Sequence, residues 1–226
     1  MIDDVAQAEA DGFSSYWVAQ LASPDTLTAI ALMGARTERI EIGTAVVPTW
    51  LRHPLMLATQ ALTVQEAIGN RLALGIGLAH KTTIETNLRI PFARPAKHMS
   101  EYLDVLLPAM ADRAVDATGE IWSGNADRIG GMPGATSPAV LLAAMGPRML
   151  AMAGARTDGT VLWLSGPKAI ESQLNLPWTR RPPKLADQHR ASWRACRCVS
   201  RTSPRRYETC SRRCSPATTT FRRTAA

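Results

Sequence analysis

Over residues 1–173, short apolar runs alternate with segments of helical periodicity, and this alternation most constrains the fold. The runs fall at 15–21 (SYWVAQL), 39–48 (RIEIGTAVVP), 71–77 (RLALGIG), 139–147 (AVLLAAMGP) and 160–166 (TVLWLSG). A helix is predicted over 3–11, stopped by Gly12. Another begins with Ser23 as N-cap and Pro24 at its first position, with Leu27, Ile30, Ala31 and Gly34 at helical spacing. After His53-Pro54, Leu57, Ala61, Val64 and Ile68 share one face before Gly69-Asn70 ends the helix. Met99, Leu103, Leu106 and Met110 mark a helix over 97–110, PRMLAMAGA marks one at 147–155, and PKAIESQ begins a last one at 167–173. Strands apolar on both faces and separated by helices pair in parallel through βαβ crossovers. An open doubly wound sheet and a (β/α)8 barrel both satisfy this pattern.

Three of the strands end in glycine-bearing turns: IEIGT, LGIGL and AAMGP. The run Gly75-Ile76-Gly77 invites a dinucleotide-binding reading, which needs a third small residue and an immediate helix. His80 occupies that third position, and the KTTIETNLRIPFARP that follows is a poor helix start, so the reading fails. The C-terminal ends of parallel strands are nevertheless where ligands bind in either architecture. Glycine there admits a flat ring or a phosphate close to the backbone, or simply makes a tight turn.

Composition divides the chain near residue 173. Residues 1–173 carry 13 Lys+Arg and 17 Asp+Glu, a net charge of 13 − 17 = −4, whereas residues 174–226 carry 13 and 2, a net of 13 − 2 = +11. The second segment has no Ile or Gly, a single Val199 and all four cysteines, and is expected to be disordered or poorly folded. Its C-x-C at 196–198 and C-x₃-C at 210–214 lack the paired spacing and turn residues of a structural zinc site, so no metal is expected. Its arginines suit only nonspecific attraction to nucleic acid. The acidic N-terminus is not a secretory signal, and no apolar run reaches the ~18–20 residues of a membrane span, so a cytoplasmic location without membrane contact is expected.

The segments AEADGFSSYWVAQ, ERIEIGTAVVPTWLRHPLMLATQALTVQEAIGNRLALGIGLAHK, PFARPAKHMSEYLDVLLP and PAVLLAAMGPRMLAMAGARTDGTVLWLSGP, in that order, resemble the bacterial luciferase-like family. The likeness is to its deazaflavin-dependent oxidoreductase branch of actinobacterial type. It implies an α/β fold of (β/α)8 TIM-barrel type, with coenzyme F-420, or alternatively FMN, at the C-terminal mouth. By this alignment the chain holds only barrel strands 2–6. It lacks a first strand of MRIGL type and strands 7 and 8, and is expected to be a truncated, frame-shifted member of little or no activity. Its open edges favour a homodimer or aggregation. The expected partner is otherwise a small-molecule substrate, with hydride transfer from reduced deazaflavin the leading activity and an FMN monooxygenase or a non-catalytic remnant the alternatives.

The resemblance also assigns residues. Gly43, Thr44, Ala45 and Val46 end barrel strand 3, where the family often carries a non-prolyl cis peptide under the cofactor ring, and Gly75 and Gly77 end strand 4. Gln20 faces the cofactor's polar edge or is a surface amide. His80 contacts substrate or donates a proton, or is structural. Met145, Gly146, Pro147 and Arg148 bring a helix N-terminus and a positive charge to a phosphate, or Arg148 is merely solvated. Arg52 and His53 contact the substrate or the coenzyme's acidic tail, or His53 caps locally. Trp163 is expected in the core and Asp158 in a turn.

Overall fold

The computed structural model describes residues 1–20, 24–162, 165 and 166. Five α-helices are described: α1 (Ile2–Ala10), α2 (Thr26–Gly34), α3 (Pro54–Ala67), α4 (Pro95–Ala111) and α5 (Pro147–Arg156). They alternate with β1 (Ser15–Val18), β2 (Glu41–Thr44), β3 (Val47–Pro48), β4 (Leu72–Gly77), β7 (Ala139–Ala143) and β8 (Gly159–Val161), while β5 (Val115–Ala117) and β6 (Gly124–Ala126) form a separate antiparallel hairpin.

The main sheet is parallel, in the order β1-β2-β4-β7-β8, with β3 also pairing with β4. Apart from β3, which pairs only with β4, each strand of this sheet lies beside the one that precedes it within the sheet, with no reversal of order. A doubly wound sheet reverses at a switch point. The sequential order instead curls as part of a (β/α)8 barrel, and the described residues form an incomplete barrel of this type.

The alternation inside β4 shows how sequence sets the two faces. Leu72, Leu74 and Ile76 belong to the apolar core shared with the helices, whereas Ala73, Gly75 and Gly77 point to the other face. The predicted faces of α3 (Leu57, Ala61, Val64, Ile68) and α4 (Met99, Leu103, Leu106, Met110) are buried. Helix α1 ends as expected at Gly12, whose φ is +84°.

Two expectations are corrected, and one element carries no signal in the sequence. Helix α2 starts later than predicted, with Asp25 as its N-cap: the carboxylate accepts from the Thr28 N–H at 2.9 Å. Ser23 lies outside the described residues. The predicted strand 39–48 is interrupted, because β2 and β3 are separate pairings on β4. The β5–β6 hairpin was not predicted, since its short, half-buried strands carry little apolar signal. Trp163, the helix expected at 167–173 and the basic segment with its cysteines also lie outside the described residues.

The N-terminal ends of the strands are clamped by two charged groups. The Glu9 carboxylate on α1 accepts from the N–H groups of Glu38, Arg39 and Ile40 at 2.6–3.2 Å. The Arg71 guanidinium donates to the carbonyls of Ile68, Gly34, Thr37 and Ile40 and to the Thr37 hydroxyl at 2.8–3.0 Å. Among the described residues, no helix is long and apolar enough to cross a membrane.

Candidate functional site at the strand C-terminal ends

Between β2 and β3 the chain carries one residue more than its partner strand. Gly43 pairs with Ala73 and Val47 with Ile76, so residues 44–46 face only residues 74 and 75. The result is a bulge, a device that re-aims a strand next to a site. The Ala45–Val46 peptide within it is cis.

The bulge explains the glycines on β4. A Cβ on Gly75 would fall well inside van der Waals contact with the Thr44 carbonyl oxygen, and one on Gly77 would meet Val46 Cγ2 at 2.7 Å and Ala143 Cβ at 2.9 Å. At Gly43 the space is filled by the Trp17 ring. Close approach is the reason for glycine at all three, but the approaching atoms are the protein's own.

Two threonines pin the bulge at its ends. Thr44 Oγ1 donates to the Gly75 carbonyl at 2.6 Å, and Thr49 Oγ1 donates to the Gly77 carbonyl at 3.3 Å. Behind Thr49 lies fully buried His98 on α4, with Nε2 2.9 Å from Thr49 Oγ1 and Nδ1 3.1 Å from Trp122 Nε1. An indole N–H can only donate, so Nδ1 accepts and the ring proton resides on Nε2. Rings of Trp50, Tyr102 and Trp122 surround the imidazole, Trp50 with its centroid 3.7 Å away. The Glu101 carboxylate holds the Trp122 backbone by accepting from its N–H at 3.0 Å and from that of Ile121 at 2.6 Å. Sequence reasoning passed over His98, although His98, Tyr102, Val105 and Ala109 form a buried stripe at helical spacing.

Burial pushes the His98 imidazole down from 6.5 to about 4, and the Glu101 carboxylate one turn away only partly opposes it. Because the unfolded chain takes up the proton first, His98's contribution to stability is complete above pH 6.5 and is lost as pH falls toward 4. The slope is about 1.4 kcal/mol per pH unit, on the order of 3 kcal/mol in all. Urea midpoints between pH 7.5 and 4.5 should show this loss in the parent. A His98→Gln variant should lack that component; the same slope in the variant would assign it to other groups.

Two sequence-predicted residues meet at the end of β1. Arg52 Nη1 donates to Gln20 Oε1 at 3.3 Å, and Arg52 Nη2 pairs with Asp25. Burial raises the Asp25 carboxyl, but hydrogen bonds from the Thr28 N–H and hydroxyl, with the Arg52 charge, outweigh it and leave it lowered. The Tyr102 hydroxyl donates to the Arg52 carbonyl at 3.0 Å, which ties this corner to the aromatic cluster. His53 is the N-cap of α3: Nδ1 accepts from the Leu55 N–H at 3.2 Å, and Nε2 lies 3.0 Å from the Ser123 carbonyl. Both ring nitrogens are thus engaged within the chain.

His80 is exposed beyond β4, and its carbonyl accepts from the Ile84 N–H at 3.1 Å. Met145, Gly146, Pro147 and Arg148 are exposed at the start of α5. Gly146 is the N-cap and offers no capping side chain, Pro147 is at the first helical position, and nothing lies within 4 Å of a Cβ placed on Gly146. Asp158 joins the two last strands: its carboxylate accepts from the Val140 N–H, and its own N–H donates to the Val140 carbonyl, both at 2.8 Å.

Comparison with known proteins gives consistent results. The family profile described as luciferase-like monooxygenase matches residues 1–177. A 5,10-methylenetetrahydromethanopterin reductase of Archaeoglobus fulgidus is 30% identical over 168 residues, covering 74% of this chain and 50% of the relative. The chain thus spans about half the length of that curated relative. The structure of the coenzyme F420-dependent tetrahydromethanopterin reductase from Methanopyrus kandleri superposes with a TM-score of 0.68 at 23% identity, covering 77% of this chain and 56% of that one. The oxygenating constituent of 3,6-diketocamphane monooxygenase from Pseudomonas putida, in complex with FMN, gives 0.64 at 19% identity, with 76% and 53% covered. These two structural likenesses concern the fold.

Proposed function

Because the chain belongs to the luciferase-like monooxygenase family, we propose that it carries the cofactor-binding part of a coenzyme F-420-dependent oxidoreductase that moves hydride between the reduced deazaflavin and a small organic substrate. The observation that carries this reading is the bulge at residues 44–46, wedged over Gly75 and Gly77 at the C-terminal ends of the strands. It is joined by the likeness to a methylenetetrahydromethanopterin reductase. FMN is the second candidate, favoured by the FMN complex among the structural neighbours.

The residues present fit such a group. The α5 N-terminus has no side-chain cap and open space at Gly146, so its first N–H groups and the helix dipole are available to a phosphate, with Arg148 supplying charge. The bulge would support one face of the ring, and Gln20, oriented by Arg52, would meet its polar edge. When bound, a deazaflavin supplies hydride at its C5 position. The protein's part is to fix the ring and hold an electrophilic substrate over its other face.

Gly146→Val tests the phosphate site. Nothing in the fold crowds the added side chain, so only the poorer N-cap should cost stability, about 1 kcal/mol or roughly 2–4 °C in melting temperature. Loss of one hydrogen bond to a charged group, about 1.5 kcal/mol, should weaken cofactor affinity roughly tenfold. Fluorescence titration with F-420 and with FMN measures it and separates the two cofactors. Equal affinity in variant and parent would place the phosphate elsewhere, and a parent that binds neither compound would overturn the proposed function.

A further inference from the structure

The chain Trp122–His98–Thr49–Gly77 runs in one direction. Trp122 Nε1 donates to His98 Nδ1 at 3.1 Å, His98 Nε2 donates to Thr49 Oγ1 at 2.9 Å, and the Thr49 hydroxyl donates to the Gly77 carbonyl at 3.3 Å. Each donor has one acceptor and the tautomer is set by the indole, so the relay has a single polarity. It begins at a turn wrapped on Glu101: a Cβ on Gly119 would meet Glu101 Oε2 at 2.6 Å, and Glu101 Oε2 also holds the N–H groups of Ile121 and Trp122. It ends where Val46 of the bulge fills the space over Gly77.

We propose that His98 is a positioning residue: acting through Thr49, and oriented by Trp122 and Glu101, it fixes the bulge at residues 44–46 against the end of β4. The hairpin-side turn and the strand ends are thereby joined through a buried imidazole. Thr44 secures the bulge at its start through Gly75, and the relay secures it at its end. The link from bulge to cofactor rests on the function proposed above; the hold on the bulge itself does not.

The test compares Thr49→Val, which keeps the volume but removes the hydroxyl, with Thr49→Ser, which restores it, and with His98→Phe, which keeps a ring among the aromatics but removes both nitrogens. Hydrogen exchange followed by mass spectrometry reads the amides of residues 44–47, including that of Ala45, which donates to the Val18 carbonyl at 2.8 Å. Exchange there should be at least tenfold faster in Thr49→Val and His98→Phe, within about twofold of the parent in Thr49→Ser, and unchanged in α1 for all three. If His98→Phe fails to fold, the threonine pair decides. Unchanged exchange at 44–47 in Thr49→Val, or equal acceleration in Thr49→Ser, would overturn the proposal. Titration with F-420 and FMN forms the second arm, with at least fivefold weaker binding expected in Thr49→Val and recovery in Thr49→Ser. Equal affinity would overturn the link to the ring. A parent that binds neither compound would sink the proposed function, while the exchange data still decide whether the relay holds the bulge.

Discussion

Replacing Gly75 by alanine is expected to remove a large part of the stability of the fold. The new methyl group would collide with the Thr44 carbonyl oxygen, a backbone atom that cannot rotate away, while Thr44 itself is held to the Gly75 carbonyl by its hydroxyl. Overpacking relieved by side chains costs about 1–3 kcal/mol. Here the bulge must move as well, so a loss above roughly 4 kcal/mol is expected, a large share of the ~5–15 kcal/mol that holds a typical domain together. Two other strand-end glycines calibrate the result. Gly77→Ala meets the tip of Val46 and the Ala143 methyl, and should cost about 2 kcal/mol. Gly146→Ala enters open space and should cost less than about 1 kcal/mol, for the poorer N-cap. Urea denaturation of the three variants should give that order. A Gly75→Ala protein as stable as Gly146→Ala would show that the bulge does not press on β4.

At the opposite end of the sheet, Arg71→Ala should be the most damaging change of a charged residue. Its guanidinium satisfies four carbonyls and a hydroxyl drawn from the ends of α2 and α3 and the approach to β2. Hydrogen bonds to a charged group contribute about 1.5–3 kcal/mol each to stability when fully buried. Partial exposure lets water replace some of them, so a net loss of about 3 kcal/mol is expected, or roughly 6–12 °C in melting temperature. Lysine cannot reproduce the planar fork, so Arg71→Lys should recover less than half of the loss. Thermal unfolding decides: full recovery by lysine would mean that charge alone matters at this site.

Much of the architecture was legible from periodicity. The faces of α3 and α4 and the run Leu72 to Gly77 carry their burial in the spacing of large and small residues, because each such element is buried along one stripe or on alternate positions. The hairpin β5–β6 and the start of α2 escaped, the first because its strands are short and half-polar, the second because Asp25 and Ser23 are both good capping types and only the Asp25–Thr28 hydrogen bond chooses between them. Asp25 and Arg52 illustrate the same limit at the site. Arg52 was singled out by position, but its partner lies 27 residues earlier.

By itself the sequence determined the alternation of strand and helix, the parallel pairing that follows from it, the glycines at the strand ends and the family likeness, because these depend on residues near one another in the chain. Only the tertiary structure decided what fills the space over Gly75 and Gly77, why strand 39–48 breaks into a bulge, and that His98 stands behind it. Those outcomes depend on atoms brought together from about 30 or more residues apart: Thr44 against Gly75, and Thr49 against Gly77 and His98. A local pattern records that a residue is small or buried. Which atom it meets is set by register and packing across the barrel wall.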